Sequence, residues 1–109
     1  MKIAVATNGP SLEDSVSTRF ARAPYFLIVD SSSLQYEAIP NAQASDVAGG
    51  LGLKAAWLVV NRRASMVIAG RVGGNAQRIL DERGVKIVSG LSGVSAREAV
   101  SRQRGGTEV

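Results

Sequence analysis

The distribution of apolar and polar positions along the chain predicts a mixed α/β protein. Short apolar runs bounded by Gly, Pro or Ser predict five strands, at residues 2–7, 25–30, 34–39, 66–69 and 85–88. Apolar residues spaced three and four apart predict three helices, at residues 53–63, 75–83 and from 95 to about 102. In the first of these helices the apolar stripe expected to face inward is Leu53, Ala56, Trp57 and Val60. The pattern predicts the element order β–β–β–α–β–α–β–α.

The order of these elements restricts the sheet topology. Strands that follow helices need parallel, right-handed crossovers, so the first, fourth and fifth strands should be parallel. Only three residues separate the second strand from the third, which indicates an antiparallel hairpin at one edge. We therefore expect a five-stranded mixed sheet in the order 3-2-1-4-5, with the second strand antiparallel and helices on both faces. Residues 1–103 should form a single domain, and residues 104–109 a flexible C-terminal tail.

Composition narrows the chemistry that this domain can perform. The 109 residues include no Cys and no His, which excludes disulfides, thiolate or imidazole metal ligands and a Ser-His-Asp triad. The net charge of +4 is carried mainly by arginine, whose planar donor fork suits anions. No apolar run approaches the ~18 residues of a membrane span, and the strand at residue 2 leaves no room for a secretory signal. We expect a cytoplasmic protein with no membrane association.

An anion-binding site is predicted at one edge of the sheet. Ligands of open α/β sheets bind beyond the carboxyl ends of the parallel strands, where the connections diverge. The segments 8–22, 48–52 and 70–75 should converge there, and two of them are glycine-rich entries to helices, whose free N–H groups favour anions. The same segments carry Arg19, Arg22 and Arg71, so the edge should be strongly positive.

Other site chemistries are disfavoured by the sequence. The run GLGLKA at residues 50–55 matches a dinucleotide fingerprint, but no strand directly precedes it and no acidic residue stands about 20 residues later. The carboxylates are scattered and no Ser or Thr has a base, so we expect a protein that is not an enzyme. The sequence pI of about 10.1 keeps one alternative open, a nucleic-acid-binding domain without nuclease activity.

Three motifs resemble one known family. They are RFARAPYF at residues 19–26, where Ala21 replaces a usual glycine, GGLGLKAA at 49–56 and VIAGRVGGNA at 67–76. Together they resemble, over about residues 1–100, the dinitrogenase iron–molybdenum cofactor biosynthesis family, which includes NifX and the C-terminal part of NifB, and they are also similar to its orange-protein branch.

The resemblance implies a ribonuclease-H-like fold and a non-catalytic carrier of a metal–sulfur cluster. The expected cargo contains molybdenum, as a molybdenum–copper sulfide or an iron–molybdenum cofactor precursor, held non-covalently because Cys and His ligands are missing. An anionic cluster of this kind can accept hydrogen bonds from Arg side chains and backbone amides. Delivery of the cluster to a recipient protein or an ATPase is compatible with this role, and the sequence does not identify that partner. The residues expected to bind the cluster come from the loops at the predicted edge of the sheet, and they are Thr7, Asn8, Arg19, Phe20, Arg22, Gly49, Gly50, Gly52, Arg71, Gly73, Gly74 and Asn75.

Overall fold

A five-stranded mixed sheet forms the centre of the protein. The structure is a computed structural model that describes residues 1–41 and 51–105. The sheet order is β3-β2-β1-β4-β5; β2 is antiparallel to β1 and β3, whereas β1, β4 and β5 are parallel. This confirms the predicted topology. The elements are β1 (Lys2–Thr7), β2 (Tyr25–Asp30), β3 (Tyr36–Pro40), α1 (Leu51–Asn61), β4 (Met66–Ile68), α2 (Gly74–Glu82), β5 (Lys86–Val88) and α3 (Ala96–Gly105).

Both faces of the sheet are buried under helices. Successive side chains of a strand point to opposite faces, so Ala4 and Ala6 of β1 belong to one core layer and Ile3 and Val5 to the other. The first layer is covered by α1 and α2, through residues that include Ala56, Val59, Ala76 and Leu80. The second is covered by α3, through Ala96, Ala99 and Val100. Helices on both faces are therefore confirmed.

The third strand begins later than predicted because the preceding turn is longer. The Asp30 carboxylate accepts hydrogen bonds from the backbone N–H groups of Ser32 (2.8 Å) and Ser33 (3.1 Å). These bonds stabilise the ionised carboxylate and lower the pKa of Asp30. Leu34 adopts a left-handed conformation with φ 63°, which no strand residue can share. The predicted strand at 34–39 is therefore β3 at Tyr36–Pro40.

The buried face of α1 differs from the predicted stripe. Its fully buried residues are Ala55, Ala56 and Val59, so Ala56 alone of the predicted set is buried. Nearly every residue of α1 is apolar, and such a helix has no clear periodic phase. Trp57 is half-buried and lies under Arg83, whose guanidinium carbon is 4.6 Å from the ring centroid. The small alanines therefore pack on the sheet, and the bulky indole stays at the margin as a cation–π partner.

Helices α1 and α2 end in the same hydrogen-bonded turn. Ala64 N–H donates to Val59 C=O (3.2 Å) after α1, and Val85 N–H donates to Leu80 C=O (2.9 Å) after α2. Such turns need a left-handed residue. It is Gly84 (φ 73°) after α2 and Arg63 (φ 63°) after α1.

Helix α3 starts as predicted and continues further. Ser95 Oγ accepts the N–H of Glu98 (3.1 Å), as an N-cap does, whereas the Glu98 carboxylate pairs with Arg102. The helix runs through Gly105, about three residues beyond the predicted end. The boundary of the proposed tail at residue 104 stays a prediction. No helix within residues 1–41 and 51–105 is long and apolar enough to cross a bilayer.

Candidate anion-binding site

Two segments meet beyond the carboxyl ends of β1 and β4. We call residues 8–24, between β1 and β2, loop L1, and residues 69–73, between β4 and α2, loop L2. Gly70 N–H donates to Ser17 C=O (2.8 Å), and Phe20 N–H donates to Arg71 C=O (2.9 Å). A Cβ on Gly70 would lie 2.7 Å from the Thr18 carbonyl oxygen, so the loops approach closely only because residue 70 is glycine. The two loops therefore form one connected edge.

A cleft lined by three arginines lies at this edge. It has a volume of about 210 Å³. Phe20 is 1% exposed and packs against Phe26, with ring centroids 5.2 Å apart, which anchors L1 in the core. We call it the arginine cleft; it is lined by Arg19, Phe20, Ala21, Arg22, Arg71 and Gly73.

Two arginines of the arginine cleft, Arg19 and Arg71, form no ion pair among the described residues. Arg19 and Arg71 are exposed. The ion pairs formed among the described residues join other arginines to carboxylates, Arg62 to Glu37, Arg97 to Glu13 and Arg102 to Glu98. The guanidinium groups of Arg19 and Arg71 therefore have no carboxylate partner within residues 1–41 and 51–105. Guanidinium groups without a carboxylate partner can donate charge-assisted hydrogen bonds to a bound anion.

The first turn of α2 adds backbone donors beside the cleft. Gly73 is the N-cap and supplies no side-chain cap, and the first turn contains no acidic residue. The first hydrogen bond of the helix runs from Gln77 N–H to Gly73 C=O (2.9 Å), so the N–H groups of Gly74, Asn75 and Ala76 have no acceptor within the helix. These groups carry the positive end of the helix dipole.

Gly73 and Gly74 are not required by the local backbone. A Cβ on either residue would meet no atom within 4 Å. Gly73 has φ −71°, and neither glycine has a positive φ. Alanine could adopt the same conformation. The absence of a side chain here keeps the approach to the α2 amides open.

The other glycine-rich segment is only partly described. Gly52, in the first turn of α1, lies against the start of α2, since a Cβ there would be 3.6 Å from the Ala76 backbone nitrogen and 3.9 Å from Asn75 Cβ. The first turns of α1 and α2 are thus neighbours, as predicted. Gly49 and Gly50 lie outside the described residues, and their proposed role stays a prediction.

Thr7 and Asn8 do not line the arginine cleft. Thr7 is fully buried, and its hydroxyl donates to Gly9 C=O (2.8 Å). Asn8 is exposed and its Nδ2 donates to Ser15 Oγ (2.7 Å). Both polar groups shape the start of L1, and the structure gathers Arg19, Phe20, Arg22, Arg71 and Gly73 without them.

The structure also reveals residues that the sequence analysis missed. A second cleft of about 300 Å³ shares Arg71 and is otherwise lined by Gly70, Val72, Gln77, Ile87 and Ser89. Ser89 directly follows β5, so the rule that ligand sites lie at the carboxyl ends of parallel strands could have identified it. Ala21 lines the arginine cleft, and it is the residue at which the RFARAPYF motif departs from the usual glycine.

The described residues do not bring together a cluster of metal-ligating side chains. No three Asp, Glu, His or Cys side chains of residues 1–41 and 51–105 lie together as a metal site, and the whole sequence contains no Cys or His. The arrangement can instead hold an anion by charge and by N–H donors.

Comparison with known proteins identifies a family and similar structures. The family model described as "Dinitrogenase iron-molybdenum cofactor" matches residues 1–106. The structure is similar to the apo form of the orange protein from Desulfovibrio gigas, with a TM-score of 0.91 and 33% identity over 96% of this chain and 88% of that one. It is also similar to a putative NifB protein from Thermotoga, with a TM-score of 0.80 and 32% identity over 96% of this chain and 88% of that one. No curated protein matches the sequence significantly.

Proposed function

The chain belongs to the dinitrogenase iron–molybdenum cofactor family, and we propose that it is a non-catalytic carrier that binds an anionic metal–sulfur cluster in the arginine cleft. The observation that carries the proposal is the convergence of Arg19, Arg22 and Arg71 around one cleft of about 210 Å³. Arginine forks placed together with backbone amides recognise a compact, multiply charged anion through charge-assisted hydrogen bonds.

The missing metal ligands favour a pre-assembled cluster over a free metal ion. With no Cys or His in the chain, a transition-metal ion would lack the ligands it ordinarily takes from proteins. In a sulfide cluster, inorganic sulfides already occupy the coordination positions of the metals. The protein then supplies only hydrogen bonds to the sulfurs, which is how proteins tune bound clusters.

We propose a molybdenum-containing cluster as the cargo, either a molybdenum–copper sulfide or a precursor of the iron–molybdenum cofactor. The family match concerns that cofactor, and the structure of the orange protein is described as an apo form, which implies that the orange protein also has a loaded form. A carrier of this kind would act in the cytoplasm and deliver its cargo to a recipient protein or an ATPase.

A nucleic-acid-binding role has less support. Three arginines outside the cleft are paired with carboxylates, and Arg83 stacks on Trp57. Binding to single strands uses exposed aromatic side chains as stacking platforms. Phe20 and Phe26 are buried, and Tyr36, on the edge strand β3, is the one exposed aromatic residue among residues 1–41 and 51–105. Apart from those of the arginine cleft, the arginines of residues 51–105 lie on or directly after α1, α2 and α3, which cover opposite faces of the sheet.

Titration with tetrathiomolybdate, with and without Cu(I), tests the proposal. Wild-type protein should give a coloured complex with charge-transfer absorption that persists through gel filtration. Hydrogen bonds to charged groups contribute about 1.5–3 kcal/mol, so Arg19→Ala and Arg71→Ala should each weaken binding by roughly tenfold or more.

Arg63→Gly is the matched control, because it removes the same charge at the opposite end of the sheet, after α1. It should bind like the wild type. A wild-type protein that forms no complex, or equal losses in all three variants, would contradict the proposal. Oligonucleotide binding with a steep salt dependence in place of cluster binding would favour the nucleic-acid alternative.

A further inference from the structure

Asn41 links the end of the β2–β3 hairpin to loop L1. It directly follows β3 and does not line the arginine cleft. Its side-chain Nδ2 donates to Ala21 C=O (3.1 Å) and to Ala23 C=O (2.9 Å), and its backbone N–H donates to Pro24 C=O (2.8 Å). Both acceptors of Nδ2 are carbonyl oxygens, so the orientation of the amide is fixed by chemistry.

These hydrogen bonds fix the backbone on both sides of Arg22. The Ala21 carbonyl belongs to the peptide group that precedes Arg22, and the Ala23 carbonyl belongs to the peptide group that follows Ala23. Holding both groups restricts the backbone dihedral angles of Arg22 between them. The Asn41 side chain thus restricts the backbone from which the Arg22 side chain projects.

The same hydrogen bonds affect the electrostatics of the cleft. A carbonyl oxygen is the negative end of the peptide dipole, and one that faced the cleft would repel an anion. The Ala21 and Ala23 oxygens are instead engaged by Asn41. Elsewhere around the cleft, Arg19 C=O accepts from Ser17 Oγ (3.3 Å) and Arg71 C=O accepts from Phe20 N–H (2.9 Å). These four carbonyl oxygens are thus engaged within the protein, while the N–H groups of Gly74, Asn75 and Ala76 have no acceptor within α2.

We propose that Asn41 is a positioning residue of the arginine cleft. It holds Arg22 in the orientation for anion binding and turns the neighbouring carbonyls toward its own amide. This inference rests on the proposed function, since it assigns to Asn41 a role in binding the same anion. Residues that orient a site without touching its ligand typically change affinity by about 10- to 100-fold when they are replaced.

The other end of the same hairpin offers a matched control. Asp30 stabilises the β2–β3 turn with two side-chain-to-backbone hydrogen bonds, as Asn41 stabilises L1 with two. Asp30→Ala should therefore lower the melting temperature to an extent similar to Asn41→Ala, without contact with L1. A comparison of the two separates loss of stability from loss of site geometry.

The experiment is a tetrathiomolybdate titration at a temperature where circular dichroism shows every variant to be folded. Asn41→Ala should bind about tenfold more weakly than the wild type, whereas Asp30→Ala should bind like the wild type. Asn41→Asp keeps the shape of the side chain but loses both donors and adds a negative charge near Arg22, so it should bind more weakly still.

A double-mutant cycle shows whether Asn41 acts through Arg22. Asn41→Ala should cause its full loss in an Arg71→Ala background and a smaller loss in an Arg22→Ala background, where only its effect on the Ala21 and Ala23 carbonyls remains. Wild-type affinity in Asn41→Ala, a matching loss in Asp30→Ala, or equal losses in both arginine backgrounds would overturn the inference while the carrier function stands. If the wild-type protein binds no tetrathiomolybdate, the proposed function fails, and this inference fails with it.

Discussion

Replacement of Gly73 by alanine should weaken anion binding and leave folding nearly unchanged. Gly73 lines the arginine cleft and caps α2 with φ −71° and ψ 166°, a conformation that alanine adopts without strain. A Cβ at this position would meet nothing within 4 Å. The methyl group would therefore fill only space that we assign to the ligand.

The expected magnitudes follow from this geometry. Alanine is a poorer N-cap than glycine by roughly 0.5 kcal/mol, but it restricts the unfolded chain, which stabilises by about 0.4–1 kcal/mol. The net change in the free energy of unfolding should lie within about 0.5 kcal/mol. A methyl group is similar in size to a water molecule, about 30 Å³, which is roughly one-seventh of the 210 Å³ cleft. We expect binding to weaken on the order of tenfold, or about 1.4 kcal/mol.

Gly70→Ala is the contrasting variant for this prediction. A Cβ there would lie 2.7 Å from the Thr18 carbonyl oxygen and 2.8 Å from Thr18 Cα. Such backbone collisions cannot relax cheaply, so this variant should lose about 1–3 kcal/mol of stability. Thermal denaturation and a tetrathiomolybdate titration are measured on both variants. The reasoning is refuted if Gly73→Ala binds as tightly as the wild type, or if it is destabilised as much as Gly70→Ala.

Three further predictions concern stability. Arg63→Gly should stabilise the protein by about 1 kcal/mol and Gly84→Ala should destabilise it by a similar amount, because both residues have a left-handed backbone conformation. The two variants should shift the melting temperature in opposite directions, and shifts of the same sign would contradict this prediction. Ser95→Ala should lower the free energy of unfolding by about 1 kcal/mol, because it removes the N-cap of α3. Urea denaturation measures this loss, and an unchanged midpoint would argue against the cap. The pKa of Asp30 is lower in the folded protein than in the unfolded chain. The Asp30 carboxylate therefore contributes its full stabilisation of the fold above the unfolded pKa of about 3.9, and this contribution is lost as the pH falls through the folded pKa. The stability difference between wild type and Asp30→Ala should therefore shrink in acid, and a difference independent of pH down to full protonation would contradict this cause.

The strands and their order could be predicted because their signals are local. Lys2–Thr7 and Tyr25–Asp30 are apolar runs ended by Asn-Gly-Pro and Ser residues, and their observed limits are those predicted. The crossover rule then determined which strands are parallel. The start of β3 could not be predicted, since it depends on hydrogen bonds from Asp30 within the turn.

The inward face of α1 depended on tertiary contacts. An almost wholly apolar helix gives no preferred direction, so the predicted stripe included Trp57 with Ala56 and left out Ala55 and Val59. Packing against the sheet buries Ala55 and Val59 beside Ala56 and leaves Trp57 half-buried. Arg83, at the end of another helix, then covers the indole, a contact that no local pattern could indicate.

The candidate site was predictable in outline. Sheet topology alone placed Arg19, Arg22 and Arg71 at one edge, and the structure lines a single cleft with them. Thr7 was expected at the site, but its hydroxyl donates a hydrogen bond to a backbone carbonyl oxygen. The identity of a residue does not show which partner its hydroxyl has. Asn41 was missed because its role depends on the position of β3 beside L1.

Metal analysis of the protein isolated from its native host tests the carrier function most directly. The protein should be purified without added metal, from cells grown with ample molybdenum and sulfur, and examined by absorption spectroscopy and by mass spectrometry under non-denaturing conditions. We expect a coloured protein that contains molybdenum and inorganic sulfide, and that loses both when Arg19 and Arg71 are replaced by alanine. A colourless protein without molybdenum, or a metal content unchanged in the double variant, would contradict it.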